Sequence, residues 1–244
     1  MVISEKLIKN DFYIDRYSKL LYELGIDFKN IEFYIQAFIH RSIINEKPDI
    51  GEHNERLEFL GDAVLELVIT EKLFVDFPSK PEGELTDIRS ALVRGRNLAV
   101  VSRKLGFQDY LFLGKGENLG GGRENDYLLA NVCESLIGAI YLDLGLEASR
   151  DFILTQVYTT LETILENRLF KDYKSMIQEY AQAKYGKTPA YEVLSDIGPD
   201  HDKVFTCGVY VGENLVGTGE GSSKKKAQEQ AAENAYLNQE SWNI

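Results

Sequence analysis

The hydrophobic period of this 244-residue chain changes once, and that change restricts what it can fold into. Up to about residue 165, apolar residues recur three and four apart. The runs are "YSKLLYELGI", "IEFYIQAFIHRSII", "ERLEFLGDAVLELVITEKLF", "LTDIRSALVRGRNLAVVSRKLGF", "YLLANVCESLIGAIYLDLG" and "ASRDFILTQVYTTLETILEN". That spacing predicts amphipathic helices. Gly- and Pro-containing stretches, such as "FPSKPEG" and "GKGENLGGG", punctuate them. Past residue 170 one helical run, "YKSMIQEYAQAKYG", precedes three short β-rich runs, "PAYEVLSD", "KVFTCGVYVG" and "NLVGTGEG". Gly212, Glu213 and Asn214 predict a hairpin turn between the last two. A final helix, "SSKKKAQEQAAENAYL", carries small residues at Ala227, Ala231 and Ala235. The pattern predicts an all-α domain over residues 5–168 and a small α+β domain, in the order α-β-β-β-α, over residues 171–240. The boundary falls in "NRLFKD" (167–172).

One helix of the first domain poses an electrostatic problem. In "HNERLEFLGDAVLELVI", Glu55, Glu58 and Asp62 fall within roughly 60° of one another around the axis. Leu57, Leu60, Val64, Leu67 and Val68 fill the opposite face and are expected in the core. Phe59 and Ile69 flank the carboxylates, so that side is not simply solvated. A second pair, Asn131 and Glu134, shares a face of "LLANVCESLIGAIYLD". Acids on two packed helices would have strongly raised pKa values unless a cation intervened. Mg²⁺ typically takes one or two carboxylates plus water and phosphate. Spacing alone leaves two readings open, a metal site or an ordinary solvated acidic face.

Composition narrows the chemistry further. Two cysteines, Cys133 and Cys207, build no disulfide framework, and with His40, His53 and His201 they show no zinc-ligand spacing. Any metal is therefore expected on oxygen ligands. No uninterrupted apolar run reaches the ~18 residues of a membrane span, and the charged start "MVISEKLIKNDF" lacks a signal-peptide core. A cytoplasmic protein with no membrane partner is expected. The net charge of −12 disfavours non-specific nucleic-acid binding. Within 171–240, eight lysines and no arginine face eleven acids, yet Lys224, Lys225 and Lys226 are consecutive. The glycines of "GKGENLGGG" lack the strand and G-K-[ST] of a P-loop.

The run "HNERLEFLGDAVLELVI" closely resembles the signature of bacterial ribonuclease III. The likeness extends through "AFIHRS", "FPSKPEGELTDIRSALV", "GGR" and "LLANVCESLIGAIYLDLG". The second half resembles a double-stranded-RNA-binding domain through "SMIQEYAQ", "PAYEV", "GPDH", "VFTCGVYV" and "GSSKKKAQEQAAENA". The resemblance implies Mg²⁺-dependent hydrolysis of double-stranded RNA by a homodimer. Its products would be 5′-phosphate and 3′-hydroxyl ends with a short 3′ overhang, and its substrates ribosomal precursors and other structured RNAs. It implies metal ligands at Glu58, Asn131 and Glu134, catalytic roles for Asp62 and Glu134, and further valley acids at Glu55 and Glu82. Phe59 matches an aromatic of the dimer interface, although periodicity alone also fits a core residue.

For RNA binding, the resemblance points to Gln178, Glu179 and Gln182 on one helix, His201 in a loop, and Lys224 and Lys225 at a helix start. A-form RNA is read mainly through minor-groove 2′-hydroxyls and phosphates, which suits those polar and basic side chains. Two positions depart from the family pattern. Asn131 stands where Asp is commonest, and Gln228 replaces a common lysine. Asn131 keeps a second function class in view, a double-stranded-RNA-binding protein with lost or weakened cleavage. A third, a structural subunit of a ribonucleoprotein, predicts stable association with other proteins instead of cleavage.

Overall fold

The computed structural model describes residues 11–167, 170, 172–199, 203–242 and 244. The chain divides into two compact units, Met1–Phe170 and Lys171–Ile244. The described part of the first is helical: α1 (Asp11–Glu23), α2 (Ile31–Ala37), α3 (Glu55–Asp76), α4 (Glu82–Val93), α5 (Gly95–Lys104), α6 (Lys115–Leu119), α7 (Asp126–Leu144), α8 (Leu146–Phe152) and α9 (Leu161–Glu166).

Three long periodic runs break where the backbone has another task. The run beginning "IEFYIQA" stops at Ala37 because Ile39 pairs as a parallel bridge with Phe112. Arg94 is extended (ψ 136°), which separates α4 from α5. Beyond α8 the chain passes through a π-helical turn, Ile153–Val157, and a 3₁₀ turn before α9. Hydrophobic spacing survives each break, so periodicity alone reads across it.

Helix α7 lies at the centre, with Leu129, Val132, Cys133, Leu136, Ile137 and Ile140 all buried. By length and hydropathy it passes for a membrane span. Its apolar surface is instead covered by α2, α3 and α5, as for a core helix apolar on most sides. Its ends are well defined: the Asn125 side chain accepts from Tyr127 N, and Gly145 at φ +89° closes it.

The "GGR" stretch has a structural role. The Arg123 guanidinium donates to Gln108 O (2.6 Å), Leu111 O (3.0 Å) and Asn118 Oδ1 (2.8 Å). One side chain thus satisfies several loop acceptors between α5 and α7.

In the second unit, α10 (Tyr173–Tyr185) and α11 (Lys224–Leu237) pack with an antiparallel sheet ordered β1-β2-β3. The strands are β1 (Pro189–Ile197), β2 (Val204–Val211) and β3 (Asn214–Gly221). Gly212 at φ +66° and Glu213 form the two-residue connection between β2 and β3. The alanine stripe of α11 lies directly on β3. A Cβ at Gly219 would stand 2.2 Å from Ala231 N, and one at Gly217 would stand 2.7 Å from Ala231 O. Trp242, the chain's single tryptophan, donates from Nε1 to Ala235 O and stacks on Tyr185.

Arg123→Ala should strand the loop carbonyls and cost about 2–3 kcal/mol. Thermal unfolding of the nuclease unit, followed by circular dichroism, should shift down by roughly 5–10 °C.

Candidate active site

The site is built where α3 crosses α7. Gly61 and Gly138 sit at that crossing, and neither tolerates a side chain: a Cβ on Gly61 would lie 1.8 Å from Glu134 O, and one on Gly138 would lie 2.3 Å from Leu57 O. Backbone therefore meets backbone, and Glu58 and Asp62 of α3 come beside Asn131 and Glu134 of α7. Buried Asn54 fixes the start of α3 by donating from Nδ2 to Ala37 O (3.1 Å), while its carbonyl accepts from Ser135 Oγ (3.3 Å). Glu55 and Glu58 in the first turn complement the positive end of the helix dipole.

The carboxylates feel one another. Burial first, then the charges of Asp62 and Glu58, push the Glu134 carboxyl up to about 8. Glu58 is also raised, by burial first and then by Glu55 and Asp62, while a hydrogen bond from Asn131 pulls it back. Glu58 Oε2 is buried with no hydrogen-bond partner. An orphaned acceptor and a carboxyl forced to hold its proton both favour a cation among these oxygens.

Among the described residues no group of three His, Cys, Asp or Glu forms a metal cluster. The set here is two carboxylates and an amide, and two carboxylates suffice for Mg²⁺ when water and phosphate complete the shell. With its amide nitrogen turned to Glu58, Asn131 can still offer a carbonyl oxygen. The donor set fits a hard divalent cation.

Glu55 is placed differently. It is exposed and meets Arg41 Nη1 at 3.4 Å and His53 Nδ1 at 3.8 Å, contacts that sequence spacing did not signal. The "HRS" stretch thereby acquires a chemistry. Ser42 Oγ lies 2.8 Å from His40 Nδ1 and accepts from Gly114 N (2.9 Å), so His40 and Ser42 brace the turn that presents Arg41. A cleft of about 580 Å³ opens there, lined by polar and charged residues that include His40, Arg41, His53 and Glu117 and by apolar ones that include Ile44 and Leu128. Glu82 is exposed at the start of α4, where Thr86 Oγ1 donates to it (3.2 Å). It is not among the charges that raise Glu58 or Glu134.

Phe59 is 82% exposed, so it is not a core residue. Leu67, expected in the core, is 57% exposed, and Ile69, expected beside the acids, is fully buried. The reason is that α3 is buried by two neighbours, α7 and α4. Its covered face is therefore rotated from the stripe that leucine positions alone suggest. Phe59, Leu67 and Phe74 instead form an exposed apolar line along α3.

In the second unit, Gln178 and Glu179 are exposed on α10, and Gln182, also exposed, donates from Nε2 to Thr188 Oγ1 (3.3 Å). Lys224 and Lys225 occupy the exposed first turn of α11, whose cap is Ser223 accepting from Lys226 N. His201 lies outside the described residues.

The chain matches a family model described as ribonuclease-III-like over residues 30–161 and the double-stranded RNA binding motif over 173–239. It is 44% identical to a ribonuclease 3 of Protochlamydia amoebophila over 213 residues, covering 87% of this chain and 88% of that one. Identity to a ribonuclease 3 of Borreliella burgdorferi is 43%, covering 93% of each chain. The chain belongs to the ribonuclease III family. Its nuclease unit is also similar to the solved nuclease domain of ribonuclease III from Campylobacter jejuni, with a TM-score of 0.54 at 36% identity, covering 58% of this chain and 95% of that one. As a ribonuclease III, it is an endoribonuclease specific for double-stranded RNA, with a helical nuclease domain ahead of its RNA-binding motif.

The Glu134 shift has a measurable consequence without metal. Its folded-state pKa, about 8, exceeds the ordinary 4.5, so the folded chain holds a proton that the unfolded chain releases. The associated stability is complete below pH 4.5 and is lost as pH rises towards 8. Glu134→Gln keeps the neutral shape. In chelator, urea unfolding between pH 5.5 and 8 should show stability falling more steeply for wild type than for the variant. Parallel profiles would mean that Glu134 ionises freely.

Proposed function

We propose that this ribonuclease III cuts both strands of duplex RNA by Mg²⁺-dependent hydrolysis. It leaves 5′-phosphate and 3′-hydroxyl ends with a short 3′ overhang, and it acts in the cytoplasm on ribosomal precursors and other structured RNAs. The observation that carries this reading is the pairing of orphaned Glu58 Oε2 with a Glu134 carboxyl that burial and neighbouring charge keep protonated. Glu58, Glu134 and the Asn131 carbonyl would hold the cation, Glu134 giving up its proton as the cation binds. When bound, Mg²⁺ polarises the scissile phosphate and lowers the pKa of the attacking water. Asp62, exposed one turn along from Glu58, orients that water and takes its proton. Glu55, tied by Arg41 and His53, and Glu82 edge the valley.

Phe59, with Leu67 and Phe74, supplies the homodimer contact. All three side chains are exposed, Phe59 next to Glu58 and the others further along α3, and a two-fold interface there would present one site to each strand. Gln178, Glu179, Gln182, His201, Lys224 and Lys225 would grip the duplex through 2′-hydroxyls and phosphates.

The test is cleavage of a long RNA hairpin with end mapping. Wild type should cut in millimolar Mg²⁺ and stop in chelator, while Glu134→Gln should bind the hairpin almost normally and leave it uncut. Cleavage by Glu134→Gln within a few-fold of wild type would refute the assignment.

Asn131 gives a finer test. Asn131→Asp adds a full charge beside the cation, nominally worth several kcal/mol at an effective dielectric near 20. Repulsion from Glu58, Asp62 and Glu134 offsets most of that. The Mg²⁺ needed for half-maximal single-turnover cleavage should fall about fivefold, on the order of 1 kcal/mol, with the saturated rate little changed. Superimposed titrations would show that residue 131 does not touch the metal.

A further inference from the structure

The two helices of the RNA-binding unit are joined by an unusual cation. Lys174, in the first turn of α10, donates from Nζ to Gln228 Oε1 on α11 at 2.7 Å, and its ammonium lies 4.6 Å from the centroid of the Tyr191 ring. Lys174 is thus held from both sides. Among the described residues it pairs with no carboxylate: the partner that fixes it is a neutral amide, which directs the ammonium without cancelling its charge. A glutamate at 228 would place it equally well and neutralise it.

Position matters as much as charge. Lys174, Gln178 and Gln182 follow one another at i, i+4 and i+8 and share one face of α10. On α11, Lys224 and Gln228 are likewise i, i+4 neighbours. Lys174 therefore stands between the polar face of α10 and the lysine turn of α11. A phosphate backbone running from one to the other would pass its ammonium. An ordinary surface lysine loses rotamer freedom when it binds, which opposes binding. Here the fold has already restricted it.

We infer that Lys174 is a phosphate-binding residue for duplex RNA, supplying from α10 the positive charge that position 228 of α11 lacks. The inference rests on the double-stranded-RNA reading of this unit. It adds a contact from a residue whose place in the sequence, two after the helix cap Asp172, suggests only a helix-start lysine.

The test is the salt dependence of binding, measured on the full chain with a duplex RNA in chelator so that no cleavage occurs. Lys174→Gln should reduce the slope of log K against log salt by one contact, roughly 0.7 to 0.9, and weaken binding about fivefold at 0.15 M salt. Adding Gln228→Lys to Lys174→Gln returns the charge to the same notch from the other helix and should restore the wild-type slope. A Lys174→Gln protein that keeps the wild-type slope, even with a lowered melting temperature, would make Lys174 a mere tie between helices and overturn the inference alone. A double variant that stays at the Lys174→Gln slope also overturns it. Failure of the wild-type chain to bind duplex RNA would overturn the RNA reading, and this inference with it.

Discussion

The contact on which the nuclease unit depends is the approach of α3 to α7 at Gly61 and Gly138. Packed helices usually stand 8–10 Å apart, with side chains filling the gap. Here the space for a Cβ on Gly61 is already taken by the carbonyl of Glu134. Glycine inside a helix costs roughly 0.5–1 kcal/mol relative to alanine, and this crossing has two. The close approach offsets that loss by burying Leu57, Val64, Leu65 and Val68 against α7 and its neighbours. It also determines the chemistry. Glu58, Asp62, Asn131 and Glu134 lie around these glycines, so any residue that forced the helices apart would separate the acids as well.

Bringing acids together in partly apolar surroundings is unfavourable, and the fold spreads the burden unevenly. Glu134 takes most of the desolvation and holds its proton, whereas Asp62 and Glu55 stay exposed. Glu55 has Arg41 and His53 beside it, and Glu58 has only the Asn131 amide and an oxygen without a partner. This gradient runs from matched charge at the rim to unmatched oxygen at the helix crossing. Structural ion pairs would show the reverse, because a buried charge without a partner is what destabilises a fold. The mismatch marks the place where a cation is worth most.

Much of this was legible in the sequence because it depends on local period. The helical and β-rich runs, the position of the hairpin turn and the shared face of Glu55, Glu58 and Asp62 all follow from spacing. What escaped depends on partners distant in the chain. Gly61 and Gly138 read as tolerable helix glycines until α3 and α7 are placed together. Leu67 reads as core because leucine is apolar, yet it is more than half exposed. Arg123 serves carbonyls 12 and 15 residues away, and Lys174 meets Gln228 across 54 residues. The break at Ala37 carries neither proline nor glycine, and the one at Arg94 is marked only by Gly95, which a helix interior can tolerate. The resemblance to ribonuclease III named the acids but did not say which of them would carry the burial.

Asn131 is best understood within that uneven arrangement. An aspartate in its place would face Glu58 and Glu134 with a further negative charge and could donate no hydrogen bond to Glu58 while ionised. The asparagine donates one, relieving the acid that has the orphaned oxygen. The substitution therefore shifts free energy between two states of the same site. The metal-free fold is less strained, because three carboxylates crowd the crossing instead of four. A metal-bound state, as proposed, would lose part of its Coulombic attraction, because an amide dipole would stand in place of a charge. Both effects come from a single atom exchange at one position. They have opposite sign because the cation that would reward the extra charge is also what removes the repulsion.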